Sequence, residues 1–468
     1  MSKFTFSDLD ARKSDIMLKS VGLNYSEYEL EGIGFDYEAL MKASGYSFED
    51  VKAIQNDSMV GHTPLIELKN ITAYARKYAK EGKGARIFLK DEASNLSGSF
   101  KARRAAISVQ KAKQMGYKGV IAATSGNYGA AVAALAAKHG LKCIIVQECF
   151  DSNNWAQPEI LEKARACEAY GAEVVQLSVG PELFYTFLNL LEETGYFNAS
   201  LYSPYGVMGI ETLGYEIAEE TMKREGKHPD VVIATNAGGG NLTGTARGLK
   251  RAGAQTRIYG ASVNLQGLHM ASDKDFNRKS FTTGHTGFAM PFAINPDRSD
   301  VPRSAARPLR YMERFFTVNQ GSVFYITEAL AVLEGLERGP AGNTSLAVAF
   351  DLAQQMNKDE IIVVQESEYT GAGKHHQPQL SFAKRNGIDL MFGNPEDETP
   401  GKTIVFPDDA SKLKSMEVPL NKLRKSYLKQ FTNKKLTEED YRYLLEELSI
   451  DRDALLKLIE EVNNERAQ

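Results

Sequence analysis

The chain has 468 residues, of which 43% are apolar and 25% are charged, and its formal net charge at pH 7 is -4. This length exceeds what one hydrophobic core usually serves, so the sequence predicts two domains with appendages. The slightly negative charge argues against a nucleic-acid-binding surface, and no apolar run is long enough to cross a membrane.

Residues that usually bind metals are not clustered. The three cysteines, Cys143, Cys149 and Cys167, have neither metal-site nor disulfide spacing, and the seven histidines are not spaced as ligands. The sequence therefore predicts no metal site. Because the N-terminus also lacks the apolar core of a secretory signal, we expect a cytoplasmic protein.

The N-terminal segment, residues 1–57, is charged and rich in tyrosine, and its apolar residues recur at helical spacing. We expect a helical extension that packs on the body or on a partner. A turn at residues 61–64 then leads into a strand over residues 66–68, with Pro64 fixing the backbone.

Strands and helices alternate from residue 85 onward. The predicted strands are apolar runs at residues 87–89, 120–123, 143–146, 174–177, 231–234, 257–262, 315–318 and 361–364. Helices are predicted between them, for example over residues 130–139 and 158–170. This order predicts parallel sheets covered on both faces by helices. A long irregular stretch at residues 269–310 is of the kind that is usually functional or disordered.

Beyond about Pro400 we expect no further apolar strands, only a helical tail over residues 401–468. Residues 437–440 (TEED) form a capping-box pattern before an amphipathic run that ends at Leu448. Asp451 is in place to cap a last helix. Such a tail either covers the body or binds a partner.

Residues 97–101 (SGSFK) place a lysine between a predicted strand and a predicted helix. Gly98 permits a sharp turn, and Ser97 or Ser99 can cap the helix. The bare N–H groups of a helix start disfavour the charge of Lys101, and a neutral amine can form a Schiff base. Taken alone, the stretch also fits a solvated surface lysine.

Three other turns follow predicted strands, where α/β proteins bind ligands. Residues 237–241 (AGGGN) leave bare, convergent N–H groups that can bind a phosphate, although a tight turn that binds nothing has the same pattern. Asn127 can donate to an oxygen or simply cap a helix. Thr370 can meet a ring nitrogen or simply close a turn.

Together, the segments at residues 61–65, 97–101, 124–129, 237–244 and 370–374 resemble the pyridoxal-phosphate enzymes of the tryptophan-synthase-β and threonine-synthase type. The resemblance covers about residues 61–374. It implies pyridoxal 5'-phosphate as cofactor and Lys101 as its Schiff-base and catalytic lysine. The implied cofactor contacts are Asn127 to the phenolic oxygen, Ala237, Gly238, Gly239, Gly240 and Asn241 to the phosphate, and Thr370 to the pyridine nitrogen. The implied substrate-binding residues are Ser97, Thr124, Ser125, Gly126 and Tyr128.

The resemblance also implies an α/β architecture of pyridoxal-phosphate fold type II, with two domains and helical extensions at both ends. The expected division assigns residues 58–104 and 207–400 to a large cofactor domain and residues 105–206 to a small α/β domain. The extensions are then residues 1–57 and 401–468.

Segments outside the cofactor motifs narrow the resemblance to the β-subunit family of 2-amino-4-ketopentanoate thiolases. They are residues 36–39 (DYEA), 147–149 (QEC), 180–185 (GPELFY) and 339–343 (GPAGN). The resemblance implies an acyltransferase that cleaves 2-amino-4-oxopentanoate with coenzyme A into acetyl-CoA and alanine, in ornithine degradation. It also implies a small α subunit as partner and a homodimer of this chain within the complex.

Two other activities share the same cofactor residues. One is β-elimination or β-replacement, as in threonine synthase or an ammonia-lyase, and the other is cofactor binding without catalysis. In the thiolase hypothesis, Lys101 moves the Cα proton and the coenzyme A thiolate adds to the C4 ketone. The sequence does not identify the residues that would donate hydrogen bonds to the resulting oxyanion.

Further side chains each have a functional and a structural interpretation. The arginines of the irregular stretch suit the phosphates of coenzyme A, or form an ion-paired loop; they are Arg298, Arg303, Arg307 and Arg310. His285 either donates to a substrate oxygen or is structural. We expect Cys149 to be a buried structural thiol, because coenzyme A itself can attack the ketone.

Overall fold

The computed structural model describes residues 5–124, 126–180, 182–270, 272, 275, 277–286, 300–369 and 376–467. In chain order its strands are β1 (Leu65–Glu67), β2 (Arg86–Asp91), β3 (Gly119–Thr124), β4 (Lys142–Phe150), β5 (Glu173–Ser178), β6 (Phe197–Asn198), β7 (Val231–Thr235), β8 (Arg257–Val263), β9 (Arg314–Val318), β10 (Ile361–Glu366), β11 (Asp389–Gly393), β12 (Thr403–Pro407) and β13 (Met416–Glu417). The strands that the apolar runs predict are all present.

The helices carry the connections between these strands. They are α1 (Phe6–Ala11), α2 (Lys13–Val21), α3 (Tyr37–Ala43), α4 (Phe48–Asp57), α5 (Lys69–Arg76), α6 (Lys101–Gln114), α7 (Asn127–His139), α8 (Pro158–Ala169), α9 (Glu182–Thr194), α10 (Pro204–Glu225), α11 (Gly240–Arg251), α12 (Gln320–Glu334), α13 (Pro340–Ala353), α14 (His376–Arg385), α15 (Leu420–Leu428), α16 (Glu438–Leu448) and α17 (Arg452–Ala467). Among the described residues, none of these helices is both long enough and apolar enough to cross a lipid bilayer.

The largest sheet has the strand order β1-β2-β10-β7-β8-β9-β13. Its five central strands are parallel, as the alternation of strands and helices predicts. The edge strands β1 and β13 run antiparallel to their neighbours, as is common in mixed sheets. Every residue of β10 is buried, with Ile362 and Val364 facing the core that contains α13 and Ile361 and Val363 facing the opposite core.

A second, four-stranded sheet has the order β5-β4-β3-β6 and is parallel throughout. On one face Ile121 and Val146 pack against Phe187 of α9, and on the other face Val120 shares a core with α7. The sheet lies inside residues 105–206, the range expected for the small domain. The expected α/β architecture, with parallel-type sheets flanked by helices, is therefore confirmed.

The expectation that apolar strands cease after Pro400 is wrong. Strand β12 lies in the tail and pairs with β11 in a small parallel sheet, and β13 adds a further edge to the large sheet. Ile404, Val405 and Phe406 are buried and form a short apolar run next to helix α12. Residues 401–417 thus belong to the sheet-bearing body, and the helical part of the tail begins with α15.

The N-terminal extension is helical, as predicted, and it meets the helical tail. The backbone N–H of Ile33 donates to Asp440 over 2.7 Å, and Asp440 also completes the predicted capping box with Thr437. Asp451 accepts from the N–H of Ala454, so the predicted cap of α17 is present. The two ends of the chain are therefore packed against each other.

The buried guanidinium of Arg307 joins both ends to the body. It donates to the hydroxyl of Tyr37 in the N-terminal extension over 2.6 Å and to that of Tyr443 in the tail over 2.9 Å. It also pairs with the buried carboxylate of Glu447. Residues 303–310 are therefore held from two sides.

Candidate active site

A cavity of about 580 Å³ lies where the carboxyl ends of β3, β7 and β10 meet, and residues of the large sheet and of the four-stranded sheet line it. Ligands of open α/β sheets bind at such ends. Ten of the predicted site residues line this cavity: Lys101, Thr124, Gly126, Asn127, Tyr128, Ala237, Gly238, Gly239, Gly240 and Asn241. Ser97 does not line it, and Ser125 and Thr370 lie outside the described residues.

Lys101 is the first residue of α6, directly after a turn that Ser97 and Gly98 form with positive φ angles of 63° and 72°. Two backbone hydrogen bonds pin this turn to the segment after β10. Phe100 donates to the carbonyl of Ser367 over 3.0 Å, and Tyr369 donates to the carbonyl of Gly98 over 2.8 Å. The turn is thus fixed by contacts with a segment more than 250 residues later in the chain.

The prediction that Ser97 or Ser99 caps α6 is wrong. Phe100 occupies the capping position, and the helix start has no side-chain cap. The two serine hydroxyls are buried and find no hydrogen-bond partner among the described residues. The backbone ties to Ser367 and Tyr369 set the conformation of the turn instead.

The pKa of the Lys101 amine is lowered from its usual value of 10.5 to about 7. Burial is the largest cause, the nearby charge of Arg104 adds to it, and the carboxylate of Glu368 opposes it. The expected loss of charge is present, although burial rather than the helix start is its main source. A lysine of this kind is a nucleophile at neutral pH.

The three consecutive glycines form a tight turn at the start of α11, as predicted. Gly239 has a left-handed φ of 79°, and a Cβ atom there would collide with the ring of Pro308. A side chain at Gly238 would collide with Tyr202, and one at Gly240 with Arg104. A side chain at any of these three positions would therefore displace a neighbour, and the turn places the start of a helix on the cavity wall, where backbone N–H groups not used within a helix can bind an anion.

The loop that follows β3 is held by its own side chains. The hydroxyl of Thr124 accepts from the N–H of Gly126 over 3.0 Å, and Tyr128 donates to the carbonyl of Ala199 over 2.7 Å. The side-chain amide of Asn127 donates to Glu368, whereas its carbonyl oxygen is buried without a partner among the described residues. Asn127 thus retains hydrogen-bonding capacity at the cavity.

Two buried acids at the cavity, Glu159 and Glu368, are not among the residues that the sequence predicts for the site. Burial raises the pKa of both, and the mutual repulsion of two close carboxylates adds to the rise for Glu159. Lys163 and Lys101 oppose the rise for Glu368. Burial thus favours the protonated form of both acids inside the site, a property that no local sequence pattern indicates.

His285 lines the cavity, and its Nδ1 lies 3.1 Å from the carbonyl of Thr283. A carbonyl only accepts, so Nδ1 carries a proton. Burial and the charge of Lys101 lower the pKa of His285 to about 4, and the ring is neutral. Its Nε2 is then an acceptor, which does not fit donation to a substrate oxygen.

Burial raises the pKa of Cys149 to about 12, as expected for a structural thiol. The described arginines of the irregular stretch fit the ion-paired interpretation: Arg303 pairs with Glu29, Arg307 with Glu447, and Arg310 with both Glu446 and Glu447. Arg298 lies outside the described residues.

Comparison with known proteins identifies the family. The sequence model of pyridoxal-phosphate dependent enzymes matches residues 57–367. The 2-amino-4-ketopentanoate thiolase beta subunit of Acetoanaerobium sticklandii is 63% identical over 467 residues, which cover 99% of this chain and 100% of that protein. The chain belongs to this family of pyridoxal-phosphate enzymes. A second beta subunit of the same name, from an unknown prokaryotic organism, is 60% identical over 96% of this chain and 97% of its own length.

More distant pyridoxal-phosphate enzymes share the fold. A threonine synthase from Bacillus sp. is 30% identical over 45% of this chain and 55% of its own length. The solved structure of a threonine deaminase from T.th. superposes with a TM-score of 0.52 and 25% identity, over 69% of this chain and 98% of that one. The predicted cofactor, pyridoxal phosphate, is confirmed at the level of the family.

The cavity suits this cofactor in two respects. Lys101 offers an amine of lowered pKa, and the glycine turn offers a helix start with no side chains in the way. Both features lie on one cavity whose volume is large enough for the cofactor and an amino acid together.

Proposed function

We propose that this chain is the cofactor-bearing β subunit of a 2-amino-4-ketopentanoate thiolase. It cleaves 2-amino-4-oxopentanoate with coenzyme A, giving acetyl-CoA and alanine, as a step of ornithine degradation. The observation that carries the proposal is the 63% identity to a thiolase beta subunit over 99% of the chain. Threonine synthase and threonine deaminase match at much lower identity.

In this proposal Lys101 binds the cofactor, and residues 237–241 hold its phosphate. Asn127 donates to the phenolic oxygen; its amide has two hydrogens and can serve both Glu368 and the cofactor. Thr370 meets the pyridine nitrogen. Thr124, Gly126 and Tyr128, with Ser97 and Ser125, form the substrate side; their support is the position of the first three on the cavity wall.

Bound pyridoxal phosphate supplies an electron sink next to Cα. With the cofactor bound, Lys101 would be the base that takes the Cα proton and returns it to Cα after cleavage, because a pKa of about 7 leaves much of its amine neutral at neutral pH. The thiolate of coenzyme A attacks the C4 carbonyl, and the C3–C4 bond breaks with its electrons on C3. Glu159 is a suitable proton source for C3, because burial and the nearby Glu368 raise its pKa to about 8; burial also raises the pKa of Glu368, which is a second candidate.

A partner subunit follows from the word "beta" in the names of both close relatives. We infer that the partner is a small α subunit and that two copies of this chain form a homodimer within the complex. The described arginines near residue 307 are occupied in ion pairs, which leaves the phosphates of coenzyme A without an evident site on them. Because these arginines are already paired, we infer that the partner subunit contributes residues to the coenzyme A site.

The test is incubation of the purified chain with 2-amino-4-oxopentanoate in D₂O, with and without the α subunit and coenzyme A, followed by mass spectrometry. We expect deuterium at Cα from the chain alone, because Lys101 needs no partner to move that proton. Acetyl-CoA should appear only when the α subunit and coenzyme A are both present. Full thiolysis by the chain alone would remove the partner from the mechanism, and ammonia with a keto acid as the only products would favour a lyase.

The glycine turn gives a prediction about cofactor affinity. A valine at position 239 would need a left-handed backbone and would collide with Pro308, so we expect Gly239→Val to move the turn out of place. The dissociation constant for pyridoxal phosphate should rise by at least about tenfold, as measured by titration of the apoprotein. Gly226→Ala, a left-handed helix end with no atom within 4 Å of the new Cβ, is the control for backbone strain alone. Unchanged affinity in a folded Gly239→Val protein would contradict the assignment of the turn.

A further inference from the structure

Two neighbouring arginines of α6 are both fully buried, but only one of them is neutralised. Arg103 forms ion pairs with Glu92 over 2.7 Å and with Glu216 over 2.8 Å. Arg104 has no carboxylate partner among the described residues, and its one hydrogen bond to them is from Nη1 to the carbonyl of Leu201. Its Nε is also buried and has no hydrogen-bond partner among the described residues.

The pKa values of the two guanidinium groups reflect this difference. Burial opposes the charge of Arg103, but Glu92 and Glu216 more than offset it, so its pKa is raised. Burial also opposes the charge of Arg104, and its pKa is lowered because no described carboxylate offsets the burial. A buried, unpaired guanidinium is costly, and such groups are usually found where an anion completes the site.

Arg104 lies on the wall of the cavity, one helical turn after Lys101. Its guanidinium packs so closely on the glycine turn that a Cβ atom at Gly240 would overlap it. Gly240 is the first residue of α11, a helix of 12 residues, and the positive end of the helix dipole lies at that start. A side-chain cation and the start of a helix therefore lie next to each other on the cavity wall.

We propose that Arg104 is the counter-ion of the cofactor phosphate in the glycine turn. A guanidinium and a phosphate form paired, charge-assisted hydrogen bonds, and the two negative charges of the phosphate compensate the buried cation. Arg104 acts as a positioning residue that anchors the cofactor away from the reacting atoms. The proposal concerns the same site as the proposed function but depends only on the cofactor, so it stands or falls independently of thiolysis.

The competing assignment is that Arg104 binds the carboxylate of the amino acid substrate. The position of Arg104 against Gly240 favours the phosphate, because Gly240 is the first residue of the helix whose start is proposed to hold that phosphate. Comparing the binding of a ligand that carries a phosphate with the binding of one that lacks it distinguishes the two assignments.

The test compares the binding of pyridoxal phosphate and of pyridoxal, which lacks the phosphate, to apoprotein carrying Arg104→Gln. We expect the dissociation constant for pyridoxal phosphate to rise on the order of 10- to 100-fold, the loss of one charge-assisted pair. The constant for pyridoxal should change by less than about threefold, because that ligand never meets the arginine. Arg104→Lys, which keeps the charge but not the paired geometry, should lie between wild type and Arg104→Gln.

Two controls keep the test decisive. Lys113→Gln removes one positive charge from the exposed last turn of the same helix and should leave both constants unchanged. The melting temperature of apo Arg104→Gln should equal or exceed that of the wild-type apoprotein, because an uncompensated buried charge is removed. A parallel loss of affinity for both ligands together with a lower melting temperature would overturn the proposal. Unchanged pyridoxal phosphate affinity with weaker binding of the amino acid would assign Arg104 to the substrate carboxylate instead.

Discussion

Replacing Lys101 by alanine is expected to lower thiolase activity of the complex by at least about 10⁴-fold, because one side chain is proposed both to bind the cofactor and to move the Cα proton. The protein should still fold, since burial of the Lys101 amine opposes its charge and the variant removes that buried amine. Borohydride reduction and peptide mapping of the wild-type protein should place the cofactor on Lys101.

Lys90 is the informative comparison for this experiment, because it is also a buried lysine. Its amine pairs with Glu216 and Glu220, and it donates to the carbonyl of Thr63 over 2.6 Å, so it should not react. A cofactor label on Lys90, or substantial activity in Lys101→Ala, would refute the assignment.

The same lysine makes a prediction about pH. The folded pKa of about 7 lies below the usual 10.5, so the folded chain releases this proton before the unfolded chain does. The stability contributed by the neutral amine is therefore present at high pH, and it is lost as the pH falls from about 10.5 to about 7. The rate at which the apoprotein bonds to the cofactor aldehyde should rise with pH through about 7 and then level off.

The second large effect concerns stability. Arg103→Met should reduce the free energy of unfolding by about 3–5 kcal/mol, because the buried carboxylate of Glu92 would lose its ion-pair partner and Glu216 would keep only its pair with Lys90. Glu92 also accepts from Thr63 over 2.6 Å, so the damage should spread to the turn that begins β1. Denaturant unfolding of the apoprotein measures the loss.

An exposed ion pair provides the matched control. Arg452 and Glu438 form a pair over 2.7 Å with side chains about half exposed, and Arg452→Met should cost less than about 1 kcal/mol. A comparably small loss for Arg103→Met would mean that the buried network can rearrange around the missing charge.

Local patterns predicted the parts of this molecule that depend on neighbouring residues. The buried strands are short apolar runs, and the glycine turn is constrained by its own backbone, so both are readable from the sequence. Lys101 is a candidate from the sequence because a turn and a helix start surround it within a few positions, and its role stays a prediction. The sequence does not predict β12, because residues 403–407 look like an isolated apolar segment in a charged tail. Their partner strand, β11, is the only other strand of that small sheet among the described residues.

What could not be predicted depends on contacts between distant parts of the chain. Asn127 and Glu368 are 241 positions apart, and only folding brings the buried acids to the cavity. The prediction that Ser97 or Ser99 caps α6 is wrong for the same reason. Backbone hydrogen bonds to residues far along the chain set the conformation of this turn and override the local preference for a serine cap. Arg103 and Arg104 look alike in sequence, and only the position of Glu92 and Glu216 shows which of them is neutralised.

The way the chain ends meet at Arg307 bears on what counts as the minimal enzyme. Arg307 donates to Tyr37 of the N-terminal extension and to Tyr443 of the tail, and it forms an ion pair with Glu447 of the tail. The next residue is Pro308, whose ring packs on Gly239. Neither end falls within residues 57–367, the region shared with other pyridoxal-phosphate enzymes. Trimming the protein to the shared region would remove these contacts with Arg307, next to the proline that packs on the turn proposed to bind the cofactor phosphate.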